Sequence, residues 1–513
     1  MDVKSETSAP AMKRPSIADR EGEVDSADEL LASLGYAPEL SRNRSTLQVA
    51  FMSFVLASIP YGLATTMYYP LVGGGPVTII WGWVAVSLII VCVAASLGEI
   101  TSIYPTAGGV YYQSFMLAPV EYRRIAAWVC GWLYVVGNIT ITLSVNFATT
   151  LFLIGCINIF GTDEVPIIAG EAYQAFLIFL GITLLCNAVS SLCNRWLPWI
   201  DTFAIFWTFA GVIAIVITVL VVAKEGRREA AWVFGHFENN SGWTDGWSFM
   251  VGLLHAAYAT SSTGMIISMC EEVREPATQV PKAMVMTIFI NTFAGLLFMI
   301  PLIFVLPDIQ VLILSAQPVP VIIKTAVGNS GGAFALLIPV LVLAFICGIG
   351  CTTAASRCVW AFSRDGAIPG SKLWSQVNHK LDVPFNAMML SMVVQILLGL
   401  IYFGSTAAFN AFSGVGVICL TTSYATPIVI SMLERRKTVS TAAFQLGKLG
   451  WICNIIAVSW SLLAIPLFCM PTTVPVVDST TMNYASVVFV GFSVISLAWY
   501  VAWGRRNYSG PPT

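Results

Sequence analysis

The chain has 513 residues, of which 57% are hydrophobic and only 10% charged, with a formal net charge of −2. Soluble domains carry about 25% charged residues, so this composition excludes a water-soluble globular protein and indicates a polytopic membrane protein. The slightly acidic balance argues against a nucleic-acid partner.

The first 46 residues are polar and charged, and no cleavable leader is expected before the first span. Composition reads as disordered to about Val24. Asp25 to Tyr36 then offer acidic caps, an apolar face and a glycine stop at Gly35, which suits a short helix on the cytosolic surface. A membrane tether is its simplest role, a regulatory one the alternative.

Twelve apolar spans follow, at roughly 47–72, 77–97, 126–156, 173–193, 197–223, 247–269, 282–306, 333–361, 386–404, 407–432, 449–470 and 484–504. The fold class is therefore all-α with twelve transmembrane helices. Span one is interrupted by Ser58-Ile59-Pro60-Tyr61-Gly62, and span six by Ala259-Thr260-Ser261-Ser262-Thr263-Gly264. Within hydrocarbon an unwound backbone is tolerated only where it lines a cavity. A broken helix recurring in corresponding places of two halves marks the binding site of a carrier. The expected substrate-binding residues are Ser58, Pro60, Tyr61 and Gly62 facing Tyr258, Ala259, Thr260, Ser261, Ser262 and Gly264.

Between spans two and three, Gly98-Glu99 opens a turn rich in Gly, Pro and Thr that runs to Gly109. Glu99 is read as a clasp to a cytosolic arginine, with a proton-relay role as the alternative. Asp201, near the cytosolic end of span five, is expected to cap that helix. His255 stands one turn before the break in span six, with Tyr258 three residues on. It either contacts substrate or a proton, or is a neutral histidine bonded to a neighbouring helix, and the residues leave both open. After span six, Glu271 and Glu272 are expected at an inner gate that closes against basic residues, whereas Glu275 reads as a solvated loop carboxylate. Arg357 within span eight is expected to pair with a carboxylate.

The 12 cysteines lie mostly in spans and form no CxxC pair. Cys347, Cys351 and Cys358 share a helical face and read as small packing groups rather than metal ligands. No metal or cofactor is expected. Of the 25 basic residues, an N-terminus in the cytosol leaves only Lys224, Arg227, Arg228 and Lys324 outside, with Arg357 inside a span and the other twenty cytosolic. That bias fits an even number of spans with both termini cytosolic.

These stretches together resemble a fungal permease of the amino acid–polyamine–organocation superfamily, and within it the amino acid/choline/GABA branch. The resemblance is carried by Glu29-Leu30-Leu31-Ala32-Ser33-Leu34-Gly35-Tyr36, by Gly73-Gly74-Gly75-Pro76, and by Ser96-Leu97-Gly98-Glu99 through Pro105-Thr106-Ala107-Gly108-Gly109. Glu271-Glu272-Val273 with Pro281-Lys282-Ala283, and Ser356-Arg357 with Ala361-Phe362-Ser363-Arg364-Asp365-Gly366, continue it. It runs from about residue 28 to the last span and is specific for the family, not for a substrate. It implies a LeuT-type fold. Residues 1–46 would form the tail, 47–223 and 247–432 two inverted repeats, 449–504 two further spans, and 505–513 a cytosolic end. Substrate would sit at mid-membrane between spans one, three, six, eight and ten. Half-helix N-terminal ends would hold a carboxylate, and free carbonyls would hold cationic groups. Proton-coupled import across the plasma membrane, or an organelle membrane such as the vacuole's, is what the resemblance implies. Partners would be a small-molecule substrate, a proton and membrane lipids. Some prokaryotic relatives carry a span-five lysine in place of a sodium ion. Asp201 to Val222 contains none, so the proton's carrier is not assigned.

A membrane enzyme would need clustered His or paired Asp, but His236, His255 and His379 are far apart. A channel would show a filter-like repeat such as TVGYG, which is absent. For the substrate, no acidic residue stands at the middle of spans one, three, six or eight, which favours an amino acid or GABA over a polyamine. Tyr61, Tyr68, Tyr69, Trp132, Tyr134 and Tyr258 could offer aromatic faces to an organocation, and choline or thiamine remains the alternative.

Overall fold

The computed structural model describes residues 26–42, 44–161, 166–223, 227–404, 408–478 and 482–512. Asp25 and the stretch read as disordered to about Val24 lie outside the described residues. Among these there is no strand, only the isolated bridges Arg44–Val273 and Asn378–Val383.

Among the described residues, twelve helices are long and apolar enough to cross a membrane. They are span one Leu47–Thr65, two Thr78–Ile103, three Arg123–Asn158, four Ala172–Leu192, five Asn194–Val222 and six Asp245–Glu272. Seven to twelve are Pro276–Phe304, Ser330–Arg364, Phe385–Phe403, Ala411–Leu433, Leu449–Leu467 and Ala485–Asn507. A membrane helix is apolar on every side, so hydropathy alone cannot say which helices lie inside the bundle. Packing does. Spans six (94% buried), three (83%) and one (78%) form the centre, while spans five (28%) and twelve (11%) lie at the periphery. Span three packs on spans eight and ten, and span seven on span two.

Residues 26–33 form the surface helix, shorter than the sequence implied, and Gly35 ends it with φ +86°. The helix that becomes span one begins after Ser45, whose side chain and that of Gln48 form a capping box. The two ends of the described chain meet: a Cβ on Gly35 would stand 2.7 Å from Cβ of Pro512. The side of the bundle on which they meet is here the terminal face.

Candidate substrate site between two broken spans

Span one breaks at Ser58, which takes a left-handed conformation (φ 40°, ψ 54°) between helices Thr46–Ala57 and Ile59–Thr65. That conformation costs a residue with a Cβ about 1–2 kcal/mol. Pro60 explains why the helix accepts it. An α-helical N–H bonds the carbonyl four residues back, and Pro60 has no N–H to give Leu56. The freed Leu56 carbonyl is taken by span six, whose Ser262 hydroxyl donates to it at 2.8 Å. Cys347 of span eight approaches the same oxygen at 3.7 Å.

Span six does not open into an unwound stretch, as the sequence had suggested. Helix Leu254–Thr260 instead tightens into a 3₁₀ helix over Ser261–Glu272. Runs beyond three or four residues are uncommon in this form, and a mid-helix run often marks a hinge. Tyrosines from neighbouring spans bond the carbonyls of this stretch. Tyr424 of span ten donates to Ser261 O at 3.0 Å, and Tyr134 of span three to Gly264 O at 3.2 Å. Tyr61 in turn reaches span three, donating to Val145 O at 2.7 Å with Thr149 Oγ1 at 2.8 Å.

The two breaks enclose a cavity of about 10 Å³, near the limit for one water. Span one contributes Leu56, Ala57, Tyr61 and Gly62, and span six Tyr258, Ala259, Ser261 and Ser262. Ile141 and Val145 of span three and Cys347 of span eight complete the wall. No ionisable acid or base of the Asp, Glu, Lys, Arg or His type lines it. The Tyr258 hydroxyl is buried and has no hydrogen-bond partner. Spans one and six must separate before a substrate fits, so this is a closed arrangement.

Six of the ten residues expected from sequence therefore line the cavity. Four do not. Ser58 turns its hydroxyl back to the Val55 carbonyl, and Pro60 acts through the carbonyl it frees. Thr260 bonds Ala256 O at 2.8 Å, and Gly264 packs under the Tyr424 ring, 2.5 Å from where its Cβ would be. Of the aromatics, Tyr61 and Tyr258 face the cavity, whereas Tyr68, Tyr69, Trp132 and Tyr134 do not line it. Cys347, read as packing, is part of the wall; its helical register relative to Cys351 gave no sign of that. His255 is buried with Nδ1 3.0 Å from Thr66 Oγ1 and no partner for Nε2, in keeping with the helix-bonded reading.

On the terminal face, buried acids and bases are paired. Glu99 accepts from Arg436 at 2.9 Å and from the Leu446 N–H at 2.7 Å. Glu271 takes both Nη atoms of Arg364, at 3.1 and 2.8 Å, and the Ala107 N–H at 3.0 Å. Glu272 lies between Arg357 Nε (2.7 Å) and Arg44 Nε (3.4 Å). Asp201 sits a turn inside span five and pairs with Arg44 at 2.8 Å, so it does not cap the helix. Its partner approaches from before span one and could not be read locally. Glu275 precedes the helix of span seven and accepts from Thr278 and Gln279.

The N-terminal segment lies across these pairs. Arg42 donates to the Val273 carbonyl at 2.6 Å and pairs with Asp28 at 2.6 Å. Tyr36 donates to Asp365, its ring 3.9 Å from the Arg364 guanidinium, and Tyr111 donates to the same carboxylate at 2.8 Å. Burial pushes the Asp365 carboxyl up to about 6, against the opposing pull of Arg364 and the two hydroxyls. Removing one member of a buried pair costs about 3–5 kcal/mol, while the intact pair adds little net stability. Such pairs suit a closure that forms and breaks as a unit.

Residues 45–492 match the family described as amino acid permease. A choline transporter of Saccharomyces cerevisiae is 31% identical over 477 residues, 91% of this chain and 83% of the relative. A polyamine transporter of the same yeast is 32% identical over 466 residues, 89% of this chain and 74% of the relative. An amino-acid permease of Arabidopsis thaliana is 31% identical over 502 residues, covering 95% of this chain and 96% of the relative. With most of its length matched, the chain belongs to the amino acid permease family and is an integral membrane transporter, not an enzyme.

Proposed function

We propose that this transporter imports a small zwitterion, an amino acid or a GABA-like ω-amino acid, by proton-coupled alternating access. The observation that carries the reading is the cavity without ionic side chains, in which the two broken spans meet. A polyamine needs carboxylates to replace the water around its ammonium groups, and the cavity offers none. A zwitterion balances its own charge and can be held by backbone groups and hydroxyls. The unpartnered Tyr258 hydroxyl and the Ser261 and Ser262 side chains are of that kind.

Residues 47–223 and 247–432 act as two inverted repeats, with 449–504 as appended spans and 1–46 and 505–513 as cytosolic ends. The matching breaks in spans one and six support that division. The terminal face is then the cytosolic face of the plasma membrane, and Glu99, Glu271, Glu272 and Arg357 belong to its gate. Opening the cavity inward requires Arg44–Glu272 and Arg436–Glu99 to part together with the contacts of Tyr36 and Arg42. His255 is a candidate to carry the proton through its unpartnered Nε2.

Choline is the second reading, favoured by the rings of Tyr61 and Tyr258 on the cavity and by the likeness to a choline transporter. Uptake of labelled amino acids, GABA, choline and spermidine in a transport-deficient yeast tests both. Saturable, uncoupler-sensitive uptake of a zwitterion supports the first reading. Uptake of choline alone replaces it with the second.

A further inference from the structure

Past span twelve, which ends at Asn507, the chain turns back onto the terminal face. The segment reads Tyr508-Ser509-Gly510-Pro511-Pro512. Tyr508 is 2% exposed, and its ring meets Trp128 of span three edge-on at 5.2 Å. Gly510 takes φ +87°, a conformation that favours glycine, and lies against Phe115, whose ring a Cβ would overlap. Pro511 is buried, and Pro512 rests on Gly35. Proline fixes φ, so these two residues have little backbone freedom to lose on docking. The Tyr508 hydroxyl is buried without a hydrogen-bond partner. That cost is recovered when the segment lifts and water reaches the hydroxyl, so the segment is held by packing and can come away.

The N-terminal segment grips the same element, the helix Gly109–Leu117 between spans two and three. Tyr112 donates to the Leu34 carbonyl at 3.1 Å, and its ring lies 5.6 Å from that of Tyr36. Phe115 stands three residues further on, along the same face of the helix. One helix face therefore takes Leu34 and Tyr36 at one point and Gly510 at the next. We propose that residues 508–512 form a strap that locks the N-terminal segment over the closed terminal face, so that the segment opens only when the strap lifts as well.

The contact that couples the two segments is Pro512 on Gly35, one residue before Tyr36. Tyr36 donates to Asp365, and its ring covers the Arg364 guanidinium, which pairs with Glu271 at 2.8 Å. Residues 34 to 36 are thus held by Tyr112, Asp365 and Pro512 together. Lifting them uncovers an ion pair of the face, so the strap sets how readily that face opens. Its effect on transport rests on the reading of this face as the cytosolic gate, whereas its hold on the N-terminal segment does not.

The test is hydrogen exchange across residues 26–42 in the full chain in phosphatidylcholine vesicles, measured beside uptake velocity. Deletion of residues 508–513 removes the strap without touching a span. Gly510→Val keeps its length but puts a branched side chain where φ and the Phe115 ring leave no room. Each should speed opening of residues 26–42 about tenfold or more, the worth of burying one aromatic ring, and lower uptake velocity as Glu99→Gln is expected to do. Tyr508→Phe, which loses only the unpartnered hydroxyl, should exchange at the wild-type rate. Unaltered exchange in both the deletion and Gly510→Val would overturn the strap, even where Glu99→Gln shows the gate to be real. Equal loosening of spans three and twelve would mark general destabilisation and overturn it too. Faster exchange of residues 26–42 with normal uptake would leave the strap and overturn the gate.

Discussion

The Leu56 carbonyl, left without its helical donor by Pro60, accepts the Ser262 hydroxyl of span six at 2.8 Å. This bond joins the two broken spans at the wall of the cavity. Replacing Ser262 with Ala leaves the carbonyl with only the weak approach of Cys347. The closed arrangement should lose about 1–3 kcal/mol, as expected for a buried acceptor without a partner. Thermal unfolding in detergent would show the loss, and an unchanged Tm together with unchanged transport would mean the bond is incidental.

Gly62 is the next most sensitive point. Its missing Cβ would sit 3.3 Å from Cβ of Ala259 across the cavity. Gly62→Ala needs a shift of only a few tenths of an ångström and should transport at a reduced rate. A branched side chain has nowhere to go, so Gly62→Val should weaken substrate affinity by more than about 1.4 kcal/mol, or tenfold. Surface-resident Gly62→Val with normal affinity would move the substrate site elsewhere.

For the gate, Glu99→Gln should slow turnover more than it weakens binding, because it removes charge from a buried pair far from the cavity. The Arg436 guanidinium then loses its carboxylate, at a cost of about 3–5 kcal/mol to the closed terminal face. Initial uptake velocity against binding of a labelled substrate separates the two effects. Glu271→Gln and Glu272→Gln should behave alike, and normal uptake in all three would place the gate elsewhere.

Protonation of Asp365 should regulate the hold of the N-terminal segment. Burial holds this carboxyl at about 6 in the closed arrangement, against about 3.9 when exposed to water. The raised value means the closed arrangement binds the proton more tightly. Closure therefore gains support as pH falls below about 6 and loses it as pH rises through that value. Hydrogen exchange across residues 26–42, corrected for intrinsic rates, should show faster opening at pH 7.5 than at pH 5. Asp365→Asn should remove the difference, and a wild-type protein with no pH dependence would contradict the assignment.

Topology can be settled with single cysteine tags. Labels at Glu238 and Asn378 should be reached from opposite sides of the membrane, Glu238 from outside. Labelling of both from one side would remove the repeat division and the orientation of the gate.

The twelve spans and the break at Ser58 were legible in the amino-acid order because their causes are local, whereas the sequence marked an irregularity near Ser261 without showing that it is a 3₁₀ run rather than an unwound stretch. Continuous apolar runs drive segments into hydrocarbon, and a proline withholds one N–H wherever it stands. The glutamate clasps were legible in part, since a buried carboxylate demands a cation even when its identity is hidden. Their partners were not. Glu99 meets Arg436 across 337 positions, and Asp201 meets Arg44 across 157. Likewise, nothing local told the cavity-facing Cys347 from Cys351 and Cys358. In helices apolar on every side, orientation follows from packing among spans, and that is a property of the assembled bundle.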